Sequence, residues 1–148
     1  MATHTVKLHR VIKAPPERVY RAFVEPEAMV RWLPPYGFTC KVDRIDVKVG
    51  GKYHASFTNF SSGKSHAFGG EYREVVPNER LVSTERWGPE WPETINTLVL
   101  TESGGVTIAT LTILYPSKQA RDGALATGMN EGTEQSYARL DELVARLG

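Results

Sequence analysis

Four histidines, His4, His9, His54 and His66, and a single cysteine, Cys40, are the residue types most apt for metal or nucleophilic chemistry. Their spacing argues against both. There is no His-Glu-x-x-His helix motif and no paired Cys-x-x-Cys, the arrangements that place metal donors on one side of a centre. A nucleophile needs an adjacent base and an orienting group. Nothing local marks Cys40 as one, and a small apolar residue on a strand describes it better. The glycine pairs Gly50-Gly51 and Gly104-Gly105 lie between strands with no helix N-terminus to complete a phosphate site. They read as turns. Asn59-Phe60-Ser61 matches a glycosylation acceptor, a chance match in a chain with no secretory route. Among the acids, Glu71, Glu74 and Glu102 fall near strand ends where charge meets solvent. Glu85 differs, because it alternates with Leu81, Ser83 and Trp87. If that face points inward, its carboxyl acquires a raised pKa and serves as a general acid or a polar ligand anchor. An outward edge-strand glutamate is the alternative.

The aromatic residues carry more information. Tyr53 and Phe57 share one strand face, Tyr72 and Trp87 lie on following strands, Trp32 sits on a short helix, and Tyr137 faces them from the C-terminal helix. Aromatics fill cores, and they also line ligand cavities together with a few polar fixtures. Asn59, Asn96, Thr133, Ser136 and Glu85 are candidates for the fixtures. The expected ligand-binding set is Trp32, Tyr53, Phe57, Tyr72, Glu85, Trp87, Met129, Thr133 and Tyr137. No catalytic residue, metal or cofactor is expected.

These side chains must be positioned by a helix over residues 117–147. With 100° per residue, Leu125, Met129, Thr133, Ser136, Tyr137, Leu140, Leu143, Val144 and Leu147 fall within about 120° of arc, a core-facing stripe. Thr133 and Ser136 interrupt its apolar character, and Gly128 and Gly132 flank it one turn apart. Each glycine costs a helix about 1 kcal/mol relative to alanine. Two readings account for them: close approach to a sheet, or a helix that roofs a cavity. A straight helix of this span would run about 45 Å against a compact diameter of about 38 Å, and it would put Asp122 inside the stripe. A break between about Asp122 and Met129 is therefore expected.

The rest of the chain alternates. Residues 5–12 form a first strand, and Ala14-Pro15-Pro16-Glu17 opens a short helix. Pro26 opens a second short helix, ended by Pro34-Pro35-Tyr36-Gly37. Six strand-like runs follow at 39–47, 52–60, 65–76, 81–87, 94–101 and 106–115, separated by turn signals at hairpin spacing. No helix-length crossover divides them, so the pairing must be largely antiparallel. The fold class is α+β: seven antiparallel strands, two short helices after the first, and a long C-terminal helix.

At 148 residues the chain is read as one domain, 1–148, of ordinary globular composition with a net charge of +1. That balance gives no electrostatic case for nucleic acid or an anionic membrane surface. A lone cysteine, no apolar leader and no spanning run point to a cytoplasmic protein.

Ala14-Pro15-Pro16-Glu17-Arg18-Val19-Tyr20-Arg21-Ala22 resembles the opening of the activator of heat-shock-protein-90 ATPase homologue-like family. Other pieces match in family order: Pro26-Glu27 with Arg31-Trp32, Val49-Gly50-Gly51-Lys52-Tyr53, and Gly70-Glu71-Tyr72-Arg73-Glu74-Val75 with Pro77. Leu81-Val82 comes next, then Gly128-Met129 with Gly132, Gln135-Ser136-Tyr137 and Arg139-Leu140. The resemblance covers nearly the whole chain. It places the chain in the START-like or SRPBCC superfamily and implies the helix-grip fold of the birch pollen allergen: a curved seven-stranded sheet gripping the C-terminal helix around an internal cavity. With the aromatic set it gives the expected function, binding of a small hydrophobic or aromatic molecule, and roles in stress response or resistance fit the resemblance. A co-chaperone-like protein-binding module, with a partner docked on the Trp91 loop, is the alternative, and an enzyme acting on a bound ring is a third.

Overall fold

The structure, a computed structural model, describes residues 4–127 and 129–146. Among these are seven strands and four helices. β1 (Thr5–Ile12) leads into α1 (Pro16–Val24) and α2 (Pro26–Trp32). A meander follows: β2 (Phe38–Ile45), β3 (Lys52–Asn59), β4 (Ser65–Val76), β5 (Arg80–Glu85), β6 (Thr94–Ser103) and β7 (Val106–Leu114). α3 (Lys118–Leu125) and α4 (Met129–Val144) close the chain. The sheet order is β1-β7-β6-β5-β4-β3-β2, antiparallel throughout, so each hairpin neighbour pairs and β1 returns to the far edge beside β7.

Each short helix starts at a proline within its first turn, with an acid after it, Glu17 or Glu27. Proline is preorganised there and the carboxylate meets the helix dipole. The break expected in the C-terminal helix falls between α3 and α4. It frees Asp122 from the apolar stripe: the side chain is exposed and accepts from Lys118 Nζ at 2.7 Å one turn away. Ser117 caps α3 by accepting from the Ala120 amide. The long helix is thus two helices. Gly132 faces Pro35, 3.9 Å from where a side chain would begin, and not the sheet. Gly128 and Leu147 lie outside the described residues.

The sheet's ladder opens at one place. β4 and β5 pair at Tyr72↔Ser83 and again at Gly69↔Arg86, but Gly70 and Glu71 make no ladder pair with β5 between them. There Thr84 Oγ1 accepts from the Glu71 amide at 3.0 Å in place of a backbone partner. A bulge at Arg73 adds a register shift two residues on. Gly70 is a necessity of this geometry, since a Cβ built on it would overlap the Thr84 carbonyl.

The main core is buried between the sheet's inner face and α1, α2 and α4: Ile12, Val19, Trp32, Tyr72, Leu81, Leu98, Tyr137, Leu140 and Val144. α4 makes its closest backbone approaches to α2, with fewer to α1 and α3. Its side chains also complete the end of α2. Ser136 Oγ donates to the Leu33 carbonyl at 2.7 Å and Arg139 Nη1 to the Pro34 carbonyl at 2.7 Å. Gln135 Oε1 accepts from the Tyr36 amide at 3.1 Å. Farther along, Asp141 and Glu134 hold Arg10 of β1, pinning α4 to the sheet's edge.

Candidate functional site

Inner-facing residues follow from the register. Tyr53 is paired with Gly70 and Tyr72 with Ser83, and Ser83 with Asn96, so all five lie on one face. Glu85 and Leu81, two residues either side of Ser83, share it. Leu81 belongs to the core, which fixes this face as the inner one.

Tyr53 sits opposite the side-chain-free Gly70, and its hydroxyl reaches across β4 to donate to the Thr84 carbonyl on β5 at 2.7 Å. The Tyr53 and Tyr72 rings lie 5.5 Å apart. Glu85 ends β5 and receives the Trp87 indole N–H on Oε2 at 3.1 Å. Thr94 Oγ1 donates to Asn96 Oδ1 at 2.9 Å, which turns the Asn96 amide N–H toward Glu85. Burial pushes the Glu85 carboxyl pKa upward, and the two donors from Trp87 and Asn96 offset part of that shift. The Tyr53 phenol is raised by burial first and by the Glu85 charge second, and Tyr115 responds to the same two causes. Burial also pushes Tyr72 and Tyr137 up to about 12.

The expected ligand-binding residues other than Glu85 fall into three groups. Trp32 is 2% exposed, donates its indole N–H to the Ala22 carbonyl at 2.7 Å and packs on Phe23 and Tyr137. It and Tyr137 join the helices to one another, with Tyr72 and Tyr53 on the sheet side of the same core. Phe57, Phe68 and Trp87 pack together near the sheet's end, with ring centroids 5.0 Å (Phe57–Phe68), 4.3 Å (Phe68–Trp87) and 5.5 Å (Phe57–Trp87) apart. Met129 belongs to a second apolar cluster with Val6, Ile113 and Tyr115, and its sulfur accepts from the Tyr115 hydroxyl at 3.2 Å. Thr133 lies one turn on and returns its hydroxyl to the Met129 carbonyl at 2.9 Å.

Phe68 and Tyr115, outside the expected set, belong to this neighbourhood, as does Asn96, expected above only as a candidate polar fixture. Phe68 alternates with Gly70 and Tyr72, a signal present in the sequence. Tyr115 alternates with Ile113 just before Pro116. Asn96 needs the register to be placed.

The two apolar clusters meet through Leu111, a partly buried member of both. Glu85 lies between them by register: Gly70 across β4 carries its row to Tyr53 of the first cluster, and its partner Thr94 carries it, one step beyond the Ile95↔Leu114 pair, to Tyr115 of the second. The seam is at one edge of the sheet. β1, β2, β4 and β6 begin there, and β3, β5 and β7 end there. Tyr36, Phe60, Trp87 and Trp91 stand exposed along the same edge. One surface cleft, of about 530 Å³, lies elsewhere beside Pro16, Asn78 and Arg80, and another, of about 360 Å³, opens beside His54, Phe68, Arg86 and Pro89 near the Trp87 end of the sheet.

His54 Nδ1 donates to the Asp43 carboxylate at 2.8 Å, and His9 meets Thr110 at 3.1 Å, both on exposed surface. Cys40 is half-buried, and burial pushes its thiol up to about 11.

A protein from Chromobacterium violaceum of known crystal structure is similar to this chain at 41% identity, over 94% of this chain and 96% of its own, with a TM-score of 0.84. A Rhodobacter sphaeroides protein is 25% identical over 99% and 95%, with a TM-score of 0.89. One from Nitrosomonas europaea, at 22% identity over 99% and 97% and a TM-score of 0.87, shares the fold. No curated protein matches the chain. The profile of the family described as Activator of Hsp90 ATPase homolog 1-like protein matches residues 13–145. On that match, and with the fold of these neighbours, the chain belongs to the Activator of Hsp90 ATPase homolog 1-like family, within the helix-grip SRPBCC class.

Proposed function

We propose that the protein binds a small hydrophobic, aromatic molecule between the inner face of the sheet and α4. One observation carries this reading: the apolar interior is divided into two clusters with an acid at their seam. A packed domain shows one main core with smaller satellites, and what marks this interior is the acid set where the two clusters meet. A binding site is mostly apolar and aromatic with a few convergent polar groups, and here Glu85 and Asn96 converge between Tyr53, Trp87 and Tyr115. Family membership supports the same reading, since its class often binds hydrophobic ligands. Burial of ligand surface, worth about 25 cal/mol per Å², would drive the association. A cytoplasmic setting and a part in stress response or resistance belong to this proposal. No described helix is long and apolar enough to cross a membrane.

Native mass spectrometry of freshly purified protein tests the proposal. A co-purified small molecule released on unfolding is the expected result. A bare protein that also takes up no aromatic compound from a library would contradict it.

A second reading, a co-chaperone-like protein contact, is favoured by Trp91, which is 43% exposed in a loop held by Arg86 Nε on the Trp91 carbonyl at 3.0 Å. An exposed tryptophan is a frequent hot spot. On that reading Trp91→Ala weakens a pull-down and leaves small-molecule uptake intact.

A further inference from the structure

We propose that the interior site selects a ligand bearing a cationic nitrogen, with Glu85 as its counter-charge and the rings of Trp87, Tyr53 and Tyr115 as its walls. The inference rests on the interior being a ligand site, and it names the chemistry of the occupant.

Two neutral donors serve the Glu85 carboxylate: the Trp87 indole N–H at 3.1 Å and the Asn96 amide. A carboxylate offers about four lone-pair positions, so acceptor capacity is left over. Among the described residues no lysine, arginine or histidine forms an ion pair with Glu85. Arg86, next in the chain, is turned away to the Trp91 carbonyl. The contrast with the far side of the same interior is direct. There the inward Arg10 is matched by both Asp141 and Glu134. A charge in apolar surroundings is costly until it is paired, so an entering cation gains what no described residue supplies.

The walls discriminate in the same direction. Aromatic faces attract cations. The Tyr53 hydroxyl is committed to the Thr84 carbonyl and the Tyr115 hydroxyl to the Met129 sulfur. Neither is left to donate to an anion, and Glu85 repels one. Across from Glu85 the Tyr72↔Ser83 and Gly69↔Arg86 pairs set Gly70, over which the Tyr53 phenol reaches to the Thr84 carbonyl, so the wall on that side is the Tyr53 ring.

Calorimetric titration of the full chain at neutral pH with naphthylmethylamine, naphthylmethanol and naphthoate separates the possibilities. The three probes share a ring system and differ in charge. The amine should bind about tenfold more tightly than the alcohol, the equivalent of one well-placed cation contact, and naphthoate should bind weakest. Glu85→Gln should bring the amine level with the alcohol, and Glu85→Asp, which keeps the charge, should preserve the preference. Equal binding of amine and alcohol by the wild-type protein would overturn the cation inference and leave the interior site standing. Retention of the preference in a folded Glu85→Gln protein would overturn the role of Glu85. Binding of none of the probes would overturn the interior site itself, and the wild-type comparison reads out whether or not a variant folds.

Discussion

Gly70 and Tyr53 face each other across the β3–β4 ladder, and the missing side chain at one lets the phenol of the other reach Thr84. Gly70→Val forces a side chain against the Thr84 backbone and should cost about 1–3 kcal/mol, as overpacking does. A urea midpoint equal to wild type would show that the β4–β5 opening is not built on that glycine. Glu85 makes a prediction of opposite sign. Its pKa is raised in the folded state, so its contribution to stability is fully present below the ordinary value of 4.5 and is lost as pH rises through the folded value. Glu85→Gln should therefore stabilise the unliganded protein at neutral pH relative to wild type, with the gap closing in acid. Thermal melts of the two proteins across pH measure that difference, and a Gln variant less stable than wild type at neutral pH would contradict it. The tyrosines extend the argument to alkali. Tyr72 and Tyr137 titrate at about 12 when folded against 10 when unfolded, so stability should decline as pH rises between those values. Tyr137→Phe should flatten the decline; an unchanged slope would place the cause elsewhere.

At the scale of elements, α4 acts as much on α2 as on the sheet. Ser136, Gln135 and Arg139 bond backbone groups at the C-terminal end of α2 and in the turn after it. Arg139 also lies over the Tyr36 ring, 5.7 Å from its centroid. Arg139→Ala leaves the Pro34 carbonyl without this partner and should cost about 1–3 kcal/mol by urea unfolding, the range for a charged hydrogen bond. A loss near zero would mean that water replaces the guanidinium freely. The elements themselves were readable because each carried a local signal: prolines opened α1 and α2, period-two alternation marked the strands, and Asp122 betrayed the break before α4. The seam was not readable. Ser136 looks like a polar fixture of a cavity when only its helical phase is known, yet its hydroxyl is spent on Leu33 and Gly132 carbonyls. Which carbonyl a helix caps depends on tertiary approach, and periodicity contains no information about it. Trp32 illustrates the same limit, since its satisfied indole N–H becomes visible only once Ala22 is seen beside it.

Over the whole molecule, the meander sends three strand ends and four strand starts to one edge, where Glu85, Trp87 and Tyr115 gather and four aromatic residues remain exposed. Alternation alone identified Glu85 as a candidate for the inner face, but its neighbours Asn96 and Tyr115 come from strands whose register the sequence leaves open. Thr133, on the α4 wall one turn from Met129, offers a way to close the interior without touching the sheet. Thr133→Trp should fill the space and reduce ligand affinity by more than tenfold, roughly the loss from one blocked contact region, while the domain stays folded. Unchanged affinity would place the ligand elsewhere. The most direct test of the central claim is an isotope-edited NMR titration of the wild-type protein with naphthylmethylamine. Saturable shifts centred on Tyr53, Tyr72, Glu85, Tyr115 and Thr133 are the result expected of an interior site. Shifts confined to Trp91, Phe60 and Tyr36, or none at saturating probe, would show that the interior is closed and that the exposed edge alone meets other molecules.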